Sequence, residues 1–387
     1  MIFRAYKFRL YPTKAQKEQL SRIFGCRRYV YNWGLRLRTD AWHNEQKRLS
    51  YYDTNKLLTQ LKHDGDHDWL NDVHSECTQH ALLHLQSAFA NFWNRTTKYP
   101  KFKKKSGSKQ SASFTAGLKN GRFYIAKLGI LKVNWDSRFN PAMVSKTTTI
   151  SMDSAGRYFV SFLVEEDIKP LKKRKTSVGI DLGLTTFATL SDGKKFKHPK
   201  LIKAKQVQLH RLSKALSRKK KGSKNRNKAR LRLARLHCRI ADARNDFLHK
   251  LSTKIIRENQ TIAVEDLGVR NMMGNHCLAK AIGDASWSSF VRMLQYKAEW
   301  YGRTLVKIDR FYPSSKRCND CGYVLDKLSL DRRSWKCPEC GISHDRDTNA
   351  AKNILAVGRT VIASGDGVRP KRSLGLAEAA ICERRIA

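Results

Sequence analysis

The chain has 387 residues, 41% of them hydrophobic, which is enough for two or three domains with genuine apolar cores. Lys and Arg number 77 against 33 Asp and Glu, a formal net charge of +44. An excess this large repels itself in a compact fold unless a polyanion offsets it, so nucleic acid is the natural partner. The acidic motifs described below argue against a merely basic ribosomal or membrane-surface protein.

The N-terminus, MIFRAYKFRLYP, alternates apolar and basic residues and lacks the apolar segment of a secretory signal. No run of about 18 apolar residues is present to span a membrane, so the expected location is cytoplasmic or nucleoid-associated. Tyr6, Phe8 and Leu10 alternate with Lys7 and Arg9 as in a strand. Thr13-x-x-Gln16 then has the capping-box spacing that opens a helix, and residues 13–95 read as mostly helical. The clearest stripe there, Ala81, Leu82, Leu85, Ala88, Phe89 and Phe92, suits a core face.

From about residue 96 the texture changes to a basic, turn-rich stretch around Lys101, Lys103 and Lys104. Asn120-Gly121 is a strong hairpin signal, and Tyr158, Val160, Phe162 and Val164 alternate after a turn at residues 153–156. Residues 110–166 are therefore expected to form a small antiparallel barrel, joined by the first strand with the helical segment inserted. Residues 171–175 read as a linker.

A βαβ-like region follows to about residue 355. Residues 203–239 hold fifteen Lys or Arg and no acid, including Arg218, Lys219, Lys220 and Lys221. Leu233, Leu236, Ile240, Phe247, Leu251 and Ile255 keep helical spacing, as in one long helix or a helical hairpin turning near Gly222. Charge so uncompensated favours contact with phosphate. The tail, 356–387, has weak periodicity and is expected to be poorly ordered.

Three acids stand out in this region. Val178-Gly179-Ile180-Asp181-Leu182-Gly183 puts a carboxylate on a buried-type strand, which is costly unless it is paired or holds a metal. Residues 186–190 form a return strand, and Thr261-Ile262-Ala263-Val264-Glu265 delivers a second acid at a strand end. The third lies in Asp345-Arg346-Asp347-Thr348-Asn349-Ala350-Ala351, a loop entering a helix. Asp345 and Asp347 cannot both point into one site from a regular helix. Asp347 shares a face with Ala351 and Ile354, which suits close packing on a sheet, and Asp345 is left to cap the helix or support the site. This ordered triad is what an RNase H-like metal centre needs, with carboxylates holding two Mg²⁺ ions on a phosphodiester.

Cys318-x2-Cys321-x15-Cys337-x2-Cys340 has the spacing of a four-thiolate zinc ribbon, structural rather than catalytic. It is an insertion between a strand at 304–309 and the third acid. Cys26, Cys77, Cys238, Cys277 and Cys382 have no matching spacing and are expected to be buried free thiols.

Together GIDLG, AVEDL, the paired CxxC motifs and HDRDTNAAKNIL resemble the TnpB family, transposon-encoded nucleases related to type V CRISPR effectors. YKFRLYPT, FANFWNRTTKYPKFKKK and SASFT extend the resemblance to roughly residues 1–355. It implies an RNA-guided endonuclease of bacterial or archaeal cytoplasm, taking a guide RNA from the transposon end and double-stranded DNA as target. The implied α/β and α+β architecture has a wedge-type β-barrel (1–12 and 96–172) interrupted by a helical recognition segment (13–95). A RuvC/RNase H-like domain (176–310 and 343–355) follows, with a zinc ribbon (311–342) inserted. Asp181, Glu265 and Asp347 would be catalytic and hold Mg²⁺, and Cys318, Cys321, Cys337 and Cys340 would hold Zn²⁺. Ser75, Thr78, Gln79, Ser113, Phe114 and Thr115 are candidates for reading a short motif beside the target. The competing readings are a regulator that binds nucleic acid without cutting and a transposase that joins strands with the same acids.

Overall fold

The computed structural model describes residues 2–105, 110–115, 117–136, 139–140, 143, 147–329 and 331–364, and the backbone of 381–382. The chain divides into two compact units, one of residues 3–166, 219–235 and 379–387, the other of residues 1–2, 167–218 and 236–378.

In the first unit, strand β1 (Ile2–Tyr11) buries Phe8 and Leu10 as its alternation requires. Thr13 and Gln16 form the expected reciprocal cap of helix α1 (Lys14–Glu45). A second capping box, Ser50 with Asp53, starts α2 (Tyr51–Leu61), and α3 (Ser75–Trp93) completes the helical segment. Leu20 and Ile23 of α1 and Leu82 and Leu85 of α3 are fully buried in one core. Beyond it come β2 (Gln110–Thr115), β3 (Gly117–Lys119), β4 (Arg122–Ile125), β5 (Gly129–Ile130), β6 (Lys132–Asn134), β7 (Thr147–Met152) and β8 (Tyr158–Glu166). Strands β3 and β4 turn at Asn120-Gly121, both at positive φ, the two-residue hairpin the dipeptide predicts.

The expected barrel does not close. The sheet runs β1-β8-β7-β2, with β6 and a two-residue strand at Ile381–Cys382 both pairing with β1. Closure would need β2 to bond back to the far edge. Instead helix side chains take up its open edge: Arg27 donates to the Ser111 carbonyl, and Glu76 accepts from the Thr115 amide at 2.6 Å. Covering a sheet edge in this way satisfies backbone groups that closure would otherwise satisfy.

The second unit is built on a five-stranded sheet of β9 (Ser177–Leu182), β10 (Thr186–Leu190), β11 (Lys195–Lys197), β12 (Thr261–Glu265) and β13 (Thr304–Ile308). The order is β11-β10-β9-β12-β13, with β9, β12 and β13 parallel and β10 antiparallel. Between β11 and β12 lie α4 (Leu201–Ala204), α5 (Gln206–Ser217) and α6 (Lys224–Glu258). The 203–239 stretch is thus broken near Gly222, at φ 86°, into separate helices rather than running as one. Helices α7 (Val269–Met272), α8 (His276–Ala285) and α9 (Trp287–Tyr301) lead into β13. Leu248, Leu251 and Ile255 of α6 and Phe290 and Leu294 of α9 are buried with Ile180, Ile262 and Val264.

A short hairpin, β14 (Ser334–Lys336) and β15 (Ser343–Asp345), precedes the last helix, α10 (Arg346–Ala363). The helix runs eight residues beyond the expected domain end at 355. Residues 365–380 and 383–387 of the tail lie outside the described residues.

Helix α10 rests on the sheet at unusually short range. A Cβ added to Gly179 of β9 would overlap the Ala351 carbonyl oxygen and lie 2.7 Å from the Leu355 amide nitrogen. One added to Gly358 would lie 2.6 Å from Cβ of Ala263, the register partner of Gly179 on β12. Backbone cannot yield as a flexible side chain does, so Gly179→Ala is expected to destabilise the fold by about 3 kcal/mol. Gly25→Ala, with nothing within 4 Å of the new methyl, should stabilise α1 by up to about 1 kcal/mol. Denaturant melts of the two variants beside the parent check both signs.

Candidate active site

Two residues beyond the close contact, the strands deliver their acids. Parallel pairing of Ala263 with Gly179 and of Val264 with Ile180 brings Glu265 alongside Asp181 at the carboxyl ends of β12 and β9. Side chains two apart on a strand share a face, so both acids stand on the α10 side with Gly179 and Ala263. On α10, Asp347 precedes Ala351 by one turn and shares its face. The spacing that seats Ala351 over Gly179 therefore carries Asp347 toward Asp181. Neighbouring acids are engaged elsewhere: Asp266 pairs with Arg310 at 2.7 Å and Asp192 with Lys194 at 2.8 Å. Asp345 is the N-cap of α10, accepting from the Thr348 amide at 2.9 Å and pairing with Lys195 at 2.7 Å. Despite its partial burial, those donors hold its carboxyl below the usual range.

The electrostatics of the triad are those of acids buried close to one another. Burial, then the nearby Glu265 and Asp347 carboxylates, push Asp181 up to about 7. Burial also raises Glu265, against the hydroxyl of Ser314, which donates to its Oε1. Arg333 reaches Asp347 at 3.5 Å, and Arg346 and Arg333 both ease the charge on Asp181. Sequence reasoning missed Ser314 and Arg333. Each lies in irregular chain beside a cysteine knuckle, where no periodicity singles out a residue. Hard divalent cations suit such an oxygen-rich, repelling set. The three carboxylates spread wider than the 4.8 Å that encloses the ligand atoms of the tightest clusters among the described residues.

One of those clusters is the four cysteines. Cys318 and Cys340 Sγ are 3.7 Å apart and Cys321 and Cys337 Sγ 3.5 Å, close to the roughly 3.8 Å edge of a tetrahedron with 2.3 Å Zn–S bonds. Gly322 and Gly341 take positive φ in the two knuckles. Although burial opposes the charged form, the backbone amides of Cys340 and Glu339 bring Cys337 down to about 7. The donor set therefore fits a zinc ion. His344 lies 3.0 Å from Cys318 Sγ by its Nε2. The knuckle is fastened to α10 by buried amides: Asn349 Nδ2 donates to the Arg317 carbonyl at 2.7 Å, and Asn353 Nδ2 to that of Ser314 at 2.8 Å. Of the other cysteines, Cys26 and Cys77 are buried as expected, Cys238 is half-buried, and Cys277 is exposed, contrary to expectation. Cys277 lies in the exposed first turn of α8, whose buried residues, Ile282, Asp284 and Ala285, come at its other end. The side chain of Cys382 lies outside the described residues.

The candidate nucleic-acid contacts divide by burial. Ser75, Gln79, Thr115, Lys101, Lys103, Lys104, Arg218, Lys219, Lys220 and Lys221 are exposed. Thr78, Ser113 and Phe114 are not available as expected: Thr78 Oγ1 turns back onto the Ser75 carbonyl, Ser113 bonds Thr149, and Phe114 is core. Thr78 lies on the inward face of α3, while Ser113 and Phe114 point to opposite faces of β2, both of which are covered. Lys103 and Lys104 line a groove of about 610 Å³ with Arg27, Arg28 and Tyr31.

Three family models match in sequence: "Helix-turn-helix domain" over residues 1–47, "Probable transposase" over 161–276 and "Cas12f1-like, TNB domain" over 287–354. A "Putative RNA-guided DNA endonuclease" of Streptomyces pristinaespiralis is 48% identical, covering 96% of this chain and 93% of that one. The "Putative RNA-guided DNA endonuclease InsQ" of Escherichia coli K12 is 32% identical, over 96% of each. Among solved structures, a Cas12f1-sgRNA-target DNA complex covers 92% of this chain and 99% of that chain at 13% identity and a TM-score of 0.36.

The raised Asp181 carboxyl has a consequence for stability. Its folded value, about 7, exceeds its unfolded value, so folding binds a proton and stability falls as pH rises from about 4 to 7. Without divalent metal, Asp181→Asn should be the more stable protein at pH 7.5, by on the order of 3 kcal/mol. That advantage should vanish near pH 4 and shrink when Mg²⁺ or Mn²⁺ is added to the parent. Thermal melts across that range with and without chelator measure it.

Proposed function

The chain belongs to the TnpB family of transposon-encoded proteins, and from that premise we propose that it is an RNA-guided DNA endonuclease. It hydrolyses phosphodiesters of double-stranded DNA beside a short flanking motif. The observation that carries the reading is the convergence of Asp181, Glu265 and Asp347 over the contact of α10 with β9 and β12. This arrangement, on a β11-β10-β9-β12-β13 sheet, supports a RuvC/RNase H-like centre.

Asp181, Glu265 and Asp347 would hold divalent Mg²⁺, which would supply activation of the attacking water and stabilisation of the leaving oxygen. Asp181 is the acid on which both others act, and so stands at the centre of the set. Ser314 holds one oxygen of Glu265, and so fixes the rotamer that presents the other. Arg333, paired with Asp347 and half-exposed, would be a donor to phosphate oxygens of the substrate. Cys318, Cys321, Cys337 and Cys340 would hold one structural Zn²⁺, keeping the ribbon, and Arg333 within it, over the acids. Guide pairing would read the target sequence while the protein reads duplex shape and the flanking motif. Ser75, Gln79 and Thr115 remain for that motif, and the exposed basic residues at 101–104 and 218–221 for phosphates.

The test uses protein purified from cells carrying its native locus, with the co-purifying RNA sequenced. The expected result is one discrete RNA and Mg²⁺-dependent cutting of matching double-stranded DNA, lost by a factor of at least about 10³ in Asp181→Ala with RNA binding unchanged. Cutting without RNA would remove the guide from the account, binding without cutting would favour a regulator, and joined strands a transposase.

A further inference from the structure

At the C-terminal ends of α1 and α3, the first unit holds a second cavity, remote in sequence from the acids and absorbed by none of the roles above. It measures about 190 Å³, and its walls include Arg38, Trp42, Arg48, Phe89, Trp93 and Tyr99. That is smaller than the usual site for a multi-ring ligand and on the scale of one planar ring system. Three of the rings are unusually open for their size: Trp42 is 41% exposed, Trp93 50% and Tyr99 43%. Large apolar rings gathered at a surface mark a recognition site more often than a spare piece of core. They are also ordered among themselves. Phe89 stacks on Trp93 at 5.5 Å, and Tyr99 meets Phe89 edge-on at 5.6 Å.

The charge of the cavity selects among apolar occupants. Arg48 lies over the Trp42 ring at 5.4 Å and Arg38 over Phe89 at 5.4 Å, with Lys47 also at the wall and no acid in the lining. Arg38 is only 6% exposed, yet its bonds go to the neutral Gln86 and Thr54 side chains and its Nε has no partner. Burial lowers its pKa, and the carboxylate that opposes this, Asp53, is committed to capping α2. A buried cation of this kind is satisfied by an anion brought from outside. A flat π-system carrying an anionic group describes a nucleotide, and aromatic walls interleaved with arginine are how proteins hold unstacked bases. The target's bases are unstacked only after guide pairing has opened the duplex, whereas folded RNA, held before any target is met, offers loops and bulges whose bases can be splayed onto aromatic rings.

We propose that this cavity seats one unpaired nucleobase of the bound RNA, with the adjacent phosphate on Arg38 and Arg48. The proposal rests on the RNA-guided reading and adds a specific anchoring point to it. The site would act as a register stop, fixing where along the RNA the protein sits.

The test is photo-crosslinking of the wild-type complex, assembled on its co-purified RNA sequence with 4-thiouridine in place of uridine, followed by peptide mapping. The expected result is an adduct at Trp42, Trp93 or Tyr99 from one RNA position. Trp93→Leu and Arg48→Gln, both exposed changes checked for an unaltered melting temperature, should each weaken RNA binding about tenfold. RNA bound with full affinity by both variants and crosslinked only elsewhere would overturn the proposal and leave guidance standing. A wild-type protein that holds no RNA overturns both. An adduct to DNA, or to a peptide of this chain, assigns the cavity to another occupant and overturns it as well.

Discussion

The backbone of a helix lying directly on the backbone of a strand is the constraint on which the rest of this molecule depends. At Gly179 there is no room for even a methyl group beneath α10, and at Gly358 none above Ala263. These two contacts sit on adjacent strands in register, so they fix the height and the rotation of the helix together. Asp347 is one turn up that helix, and Asp181 and Glu265 are two residues along those strands. The carboxylates come near enough to act on one another because the backbone contacts beside them set the position of the helix. The same packing buries Asp181 and raises its carboxyl, so the fold carries an electrostatic cost that a bound cation would relieve.

The cysteine cluster is joined to the same helix. Asn349 and Asn353 are both nearly fully buried and spend their amides on carbonyls at and before the first knuckle. Ser314, at the start of that segment, bonds Glu265, and Arg333, between the knuckles, reaches Asp347. The cysteine segment is thus tied to two of the three acids, by a hydrogen bond to Glu265 and an ion pair to Asp347. A metal that holds the knuckles would also hold the residues that position the candidate centre, giving a structural ion a catalytic consequence.

Local chemistry made much of this legible in the sequence. Apolar strands ending in an acid, a capping Asp345 ahead of Asp347, the Asn120-Gly121 turn and the paired CxxC motifs each depend on neighbours within a few residues. Barrel closure at β2 was not legible, because it turns on non-local pairing that helix side chains can replace. Nor were Ser314 and Arg333, which lie in irregular chain and acquire meaning only when strands and ribbon converge. Thr78, Ser113 and Phe114 show the converse: polar or aromatic residues look available until it is known which faces of their elements are covered.

The central claim is that the contact of α10 with β9 and β12 builds a two-metal centre from Asp181, Glu265 and Asp347. Anomalous scattering from crystals soaked in Mn²⁺ addresses it most directly. The account predicts two peaks about 4 Å apart, both ligated by Asp181, with Glu265 at one and Asp347 at the other. Manganese bound away from these carboxylates, or their remaining paired only with Arg333 and Ser314 at saturating metal, would contradict it.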